Sequence, residues 1–177
     1  MRGYNIPVST PDFAGKRIIL LGAETALGGA VASALAAAGG SLALIGASND
    51  AESAFAVQRL ARRLGASVSQ AIDATNEMAV RVMVRQASKA LGGLDFAVVA
   101  LNPASDESVA ALARRFCSKE MNKRGGGAVA IVWPGTPTLL MPGDSPSATR
   151  VTNLSSAGRA PEEVTREVIS ALAAPSR

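Results

Sequence analysis

Apolar and polar positions alternate in short blocks along the chain. Residues 17–21 are a β-branched and aliphatic run, bounded by Gly15-Lys16 and Gly22, and predict a buried strand. Residues 29–38 predict a small-residue helix, stopped by Gly39-Gly40. Residues 41–46 predict a second strand. Asn49 or Asp50 then caps a helix to about Leu64, with Ala54, Val57, Leu60, Ala61 and Leu64 on one face. A third strand covers residues 67–72. Thr75 or Asn76 caps the next helix, which runs to about Leu91 with Met78, Val82 and Met83 at helical spacing. Residues 95–101 predict a fourth strand, and Ser105 or Asp106 opens a helix to about Asn122. Strands at residues 128–133 and 149–154 follow. Pro161, with Glu162 and Glu163 in the first turn, opens a last helix that ends near Ala174.

Strands alternating with helices of this length mean βαβ units and a parallel sheet. Nearly continuous apolar strands fit a sheet covered on both faces. No repeat or linker interrupts the pattern, so residues 1–177 are read as one domain with an extension at residues 1–14. Between the fifth and sixth strands, residues 134–146 hold four prolines and two glycines, which excludes a regular helix there.

In such a sheet ligands bind beyond the carboxyl ends of the strands, near the switch in strand order. The turn Gly22-Ala23-Glu24-Thr25-Ala26-Leu27-Gly28 sits there. Gly22 permits a tight turn, Gly28 a close approach of helix to sheet, and the helix start offers free N–H groups to a pyrophosphate. Glu24 places a carboxylate near the same loop.

Composition narrows the chemistry. The chain has 177 residues, no His, and single copies of Cys (Cys117), Trp (Trp133) and Tyr (Tyr4). Without His, no Ser-His or Cys-His nucleophile is available. One thiol and no imidazole exclude a zinc, haem or iron–sulfur site and any intramolecular disulfide, which fits a reducing, cytoplasmic setting. Aromatic residues at 3% leave little to stack on bases, so no nucleic-acid partner is expected. No apolar run is long enough for a transmembrane segment, and residues 1–15 do not read as a secretory signal. The net charge of +4 reads as a solvated basic surface, or as a preference for phosphate-bearing small molecules. Cys117 follows Arg114 and Arg115, cations able to lower a thiol pKa, against the reading of a small half-buried residue. Lys119 and Lys123, at i and i+4, read as a solvated face.

The order of these motifs resembles the short-chain dehydrogenase/reductase family. That family opens with Thr-Gly-x-x-x-Gly-x-Gly; here Gly22 and Gly28 match, Ala26 replaces the middle glycine and Leu21 the leading threonine. Asp73-Ala74-Thr75 resembles the family's Asp-Val-Thr, whose Asp contacts the adenine amino group. Leu94-Asp95 resembles the entry to its fourth strand, and Pro161-Glu162-Glu163-Val164 a helix near its carboxyl end. The resemblance implies a Rossmann-like three-layer α/β/α sandwich, with a doubly wound parallel sheet of about six strands. It also implies cofactor contacts from Gly22, Thr25, Ala26, Leu27 and Gly28 in the first turn. Further contacts fall to Ala47 and Ser48 after the second strand, Asp73 and Ala74 after the third, and Ala100 at the end of the fourth.

The second strand ends in Gly46-Ala47-Ser48-Asn49, small and hydroxyl residues that leave room for a 2′-phosphate, while Asp50 is read as a helix cap. The expectation favours NADP over NAD. The family's chemistry uses a Tyr as acid/base, a Lys four residues on, and a Ser after the fifth strand. Here Tyr4 precedes the first strand with Val8 in the Lys place, the Ser position falls on Trp133-Pro134, and residues 134–148 stand where the Tyr helix belongs. No catalytic residue is assigned. Three readings follow: a nucleotide-binding pseudoenzyme or accessory subunit; an active NAD(P)-dependent oxidoreductase with an atypical or partner-supplied acid; and a scaffold that binds no nucleotide. A homo-oligomer or a larger protein assembly suits the first and third.

Overall fold

The computed structural model describes residues 10–105, 107–137 and 148–175. Among the described residues six strands and five helices follow in the expected order: β1 (Arg17–Leu21), α1 (Ala26–Ala37), β2 (Ser41–Gly46), α2 (Ala51–Leu64), β3 (Val68–Ala71), α3 (Glu77–Leu91), β4 (Phe96–Ala100), α4 (Glu107–Asn122), β5 (Gly127–Trp133), β6 (Thr149–Ser155) and α5 (Pro161–Ala173). Every strand pairing is parallel, in the order β3-β2-β1-β4-β5-β6. This is the Rossmann-like doubly wound sheet the motif order implied. Its order reverses between β1 and β4, where Ile18 sits opposite Phe96.

The period of two along each strand divides the core into two layers. Ile19, Leu21, Ala43, Ile45, Val99, Ile131 and Trp133 pack on one face with α3 and α4. Ile18, Leu20, Leu42, Leu44, Val98, Ala130 and Val132 pack on the other with α1, α2 and α5. Both faces of the central strands are thus dry, which is why those strands read as continuous apolar runs.

Helix ends follow side-chain chemistry. Asp50 caps α2 through Ser53 N–H, and Asn76 caps α3 through Ala79 N–H. Asp106, one of two residues expected to open α4, lies outside the described residues. α5 opens on Pro161 as expected. One facing assignment needs correction, and the helical spacing read in α3 does not mark its buried stripe. In α2, Ala54 is exposed, and the buried residues are Val57, Leu60 and Ala61. In α3, Met78 and Val82 are exposed, and the sheet-facing stripe is Val80, Met83, Val84 and Ala87.

An ion pair ties the amino ends of β1 and β4 together. Arg17 donates to Asp95 through Nε (2.8 Å), Nη2 (2.9 Å) and its backbone N–H (2.9 Å), and through Nη1 to the Gly92 carbonyl (2.7 Å). The Arg17 hydrogen bonds hold the Asp95 carboxyl below its ordinary value of 3.8. Because the folded pKa is depressed, the contribution is complete above that ordinary value and is lost as pH falls through the folded one. Asp95→Asn is expected to lower stability at neutral pH by about 1–3 kcal/mol. The gap from wild type should close on acidification, as read by urea unfolding across pH.

Candidate functional site

The turn between β1 and α1 is built against three neighbours. Gly22 and Ala23 both donate to the Ile45 carbonyl of β2 (2.8 and 3.1 Å). Gly22 has φ +90°, and a Cβ there would lie 2.1 Å from the Ala100 carbonyl oxygen of β4. A Cβ on Gly28 would lie 2.1 Å from the Gly22 carbonyl oxygen. The two family-matching glycines therefore sit where backbone meets backbone, on either side of the strand-order switch.

The helix begins earlier than its residues suggested. It was expected from residue 29, yet Ala26 already lies in α1 and Thr25 is the N-cap. The Thr25 hydroxyl donates to the Gly22 carbonyl (2.8 Å) and accepts from Gly28 N–H (2.9 Å). The cap uses the Gly28 donor. The N–H groups of Ala26 and Leu27 belong to the first helical turn and have no intrahelical acceptor. They point with the positive end of the helix dipole, an arrangement suited to an anion. Thr25 itself, a hydroxyl just ahead of an alanine-rich run, was the signal for the earlier start.

The other candidate residues line the carboxyl edge of the sheet. Ala100 ends β4, buried, and its carbonyl backs Gly22. Ala47 follows β2 and accepts from Ala74 N–H (3.2 Å), so the loops after β2 and β3 are joined. Ala74 is fully buried. Asp73 is exposed, and its Oδ1 accepts from Thr75 N–H (3.0 Å) and the Thr75 hydroxyl (2.6 Å). Those bonds hold its carboxyl below the ordinary value. Ser48 is exposed, and its hydroxyl donates to the Asp50 carboxylate.

Glu24 was legible as a charge near the loop but not as a bridge. Its Oε1 accepts from Ala47 N–H (3.0 Å), linking the β1 turn to the end of β2. Its Oε2 is buried with no hydrogen-bond partner. Burial pushes its carboxyl above the ordinary range, and the nearby Asp50 charge adds to the shift. Beside it a cavity of about 430 Å³ opens between α1 and α2, lined by Glu24, Arg59 and Arg63 among others. A cavity of about 490 Å³ lies at the opposite end of the sheet, against Lys16, Asp95 and Arg150. A further one of about 630 Å³ lies between α3 and α4. Neither of these two touches the turn.

No tyrosine falls among the described residues; the one tyrosine, Tyr4, lies outside them. Trp133 stands where the family's Ser was sought, buried, with its indole N–H donating to Asn153 Oδ1 (2.9 Å). Residues 134–137 continue past β5 without helix, and residues 138–147 lie outside the description. Cys117 is buried in α4, and burial, with help from the Glu120 charge, pushes its thiol up to about 12. The cations beside it in sequence do not activate it. No metal-binding cluster occurs among the described residues, and no helix there is long and apolar enough to cross a membrane.

A parallel sheet in this order, with a glycine turn and helix start at its switch point, defines the dinucleotide-fold class of α/β proteins. The family model described as enoyl-(acyl carrier protein) reductase matches residues 22–162. The chain belongs to the short-chain dehydrogenase/reductase family. Among solved structures, a short-chain type dehydrogenase/reductase from Mycobacterium marinum aligns with TM-score 0.71 at 19% identity, over 91% of this chain and 89% of its own. A hydroxysteroid dehydrogenase from Escherichia coli aligns with TM-score 0.69 at 16% identity, over 91% and 90%. An NADPH-dependent 3-quinuclidinone reductase from Rhodotorula rubra aligns with TM-score 0.56 at 22% identity, over 72% of this chain and 59% of its own. At these identities the likeness is one of fold. Comparison with curated proteins finds no match.

Proposed function

We propose that the chain is a nucleotide-binding member of its family without the Ser/Tyr/Lys set, acting as a pseudoenzyme or accessory subunit. One observation carries the reading. The Gly22–Gly28 cradle keeps its backbone geometry, its Thr25 cap and its two free first-turn amides. Yet the chain's single tyrosine lies at position 4, with Val8 rather than a lysine four residues later. A tyrosine acid/base needs a neighbouring cation to bring its pKa down from about 10.

In this reading the amides of Ala26 and Leu27 hold the pyrophosphate, and Gly22 and Ala100 form the floor beneath it. Ala47 and Ser48 border the adenosine ribose, while Asp73 and Ala74 border the adenine. Residues 134–148 take the place of the catalytic helix within a domain of residues 1–177. A protein assembly is supported by β6, an edge strand whose residues after Thr149 are all partly or fully exposed.

Calorimetric titration of the full chain with NADH and NADPH tests the binding half. At least one is expected to bind with a dissociation constant of about 1 mM or tighter, near −4 kcal/mol. A panel of ketones with either cofactor is expected to show no turnover. Failure of both nucleotides to bind at millimolar concentration would leave the scaffold reading. Sustained ketone reduction would leave the active-oxidoreductase reading.

A further inference from the structure

We propose that the groove between α3 and α4 is a docking surface for an acidic amphipathic helix of a partner protein. The inference deepens the assembly half of the reading above and rests on a different surface from the β6 edge. It does not depend on the cradle.

Helical spacing builds the surface. Arg81, Arg85 and Lys89 recur at i, i+4 and i+8 on α3. Arg115, Lys119 and Lys123 do the same along α4 and just past its end, and all six side chains are exposed. Each step is about 6 Å along a helix axis. The two helices pack on the same face of the sheet, and Arg115 reaches Glu77 between them at 3.3 Å. Between the two ladders lies the cavity of about 630 Å³, lined by Arg85, Lys89, Lys123 and Arg124 among others. A smaller cavity of about 90 Å³ shares Arg85 and Lys123 with it and adds Arg81, Lys119 and Phe116.

The cations are not answered from within. Among the described residues Glu120 is the one acid lining either cavity, and Lys123 already holds it at 2.7 Å. Arg81, Arg85, Lys89, Lys119 and Arg124 make no ion pair among those residues. Folding does not call for this arrangement, because like charges at i, i+4 weaken a helix. The helix dipole accounts for Lys89 and Lys119, each in a last turn. Arg81 and Arg85 lie too far from the carboxyl end of α3 to serve it.

The apolar side chains on the same face choose the occupant. Three large hydrophobic side chains are exposed among the described residues, and two of them, Met78 and Val82, stand one turn apart on α3 beside Arg81 and Arg85. An occupant must therefore bring negative charge at intervals of about 6 Å together with an apolar stripe. An acidic amphipathic helix does both: glutamates at i, i+4 meet the ladders, and its apolar residues cover Met78 and Val82. A phosphate backbone brings charge and nothing for the apolar pair, and Phe116, the one ring lining the groove, is buried away from any base. A second copy is poorly equipped, since the i, i+4 acids of α5, Glu163 and Glu167, are already held by Arg159. The groove borders the Gly92-Gly93 turn at the amino end of the sheet, the length of β4, about 16 Å, from the crevice. Partner and nucleotide have separate seats.

Fluorescence anisotropy with the full chain tests the assignment. The probe is a labelled peptide of about 18 residues, roughly 27 Å as a helix, with glutamates at i, i+4 beside a leucine stripe. Its control has the same composition with the glutamates spread round the helix. Wild type is expected to bind the probe about tenfold or more tightly than the control, and to lose affinity with added salt. Arg85→Glu with Lys119→Glu is expected to weaken probe binding about thirtyfold or more. Arg62→Glu with Arg166→Glu makes the same charge change at exposed positions of α2 and α5, and is expected to shift binding by less than about threefold. Equal affinity for probe and control, or equal losses in the two variants, would overturn the docking surface. So would tighter binding of duplex DNA or anionic vesicles than of the probe, or self-association of wild type that Arg85→Glu with Lys119→Glu abolishes. The comparison of probe with control on wild type decides the matter even if a variant fails to fold. Absence of nucleotide binding removes the cradle and leaves this surface, and absence of probe binding does the reverse.

Discussion

Gly22→Ala is expected to leave little folded protein. The residue holds φ at +90°, where an L side chain is strained before any neighbour is considered. The added Cβ then lies 2.1 Å from the Ala100 carbonyl oxygen, which is main chain in a strand buried on both faces and cannot swing aside. Relief requires β1 and β4 to part at the centre of the sheet. The strain and the lost packing together are expected to cost about 4 kcal/mol or more. That is much of the roughly 5–15 kcal/mol that keeps a domain folded. Urea unfolding followed by far-ultraviolet circular dichroism reads the loss directly. Gly29→Ala is the matched control: it lies one residue from Gly28 inside α1, and an added Cβ there meets nothing within 4 Å. It should stabilise the helix by up to about 1 kcal/mol. Equal behaviour of the two variants would refute the steric account of the turn.

Trp133→Ala has the next largest expected effect. The indole closes the end of β5 on the face packed by α3 and α4, and only 5% of the residue is exposed. Its N–H donates to Asn153 of β6, an exposed residue, so truncation opens a void and leaves that acceptor to water. A loss of about 3–5 kcal/mol is expected. Trp133→Phe keeps most of the volume and gives up the hydrogen bond, and should cost clearly less. Stability near wild type for Trp133→Ala would mean that the indole is not the plug its burial implies.

Much of the fold was legible because its signals are local. Runs such as residues 17–21 and 128–133 are apolar, β-branched and closed off by glycine, so strand and boundary are marked together. Asp50, Asn76 and Pro161 announced their helices through the orphan amides of a first turn. What could not be read was three-dimensional choice. Met78 and Val82 are a true i, i+4 pair, but spacing alone does not say which of two apolar stripes on α3 meets the sheet; the stripe through Val80, Met83, Val84 and Ala87 does. Cys117 has cations as sequence neighbours, yet its place on the helix turns the thiol into the core. At the candidate site, Gly22 and Gly28 were found from their spacing. The reach of Glu24 to Ala47 joins residues far apart in the chain, and no local pattern encodes it.

The sheet order has a consequence for how the molecule is made. No two neighbouring strands are joined by a hairpin; β1 meets β2, β2 meets β3, and β4 meets β5 only across a helix. The widest such separation lies at the middle of the sheet, where Ile18 finds Phe96 after the chain has laid down two intervening strands and three helices. Closing so long a loop is entropically costly until the strands zip, so assembly should be slow beside that of a helical bundle of equal size. Until β4 arrives, β1 has a bare margin and the glycine turn lacks its backing from Ala100. The crevice is therefore a seam between the two halves of the sheet, and it takes shape only when those halves meet.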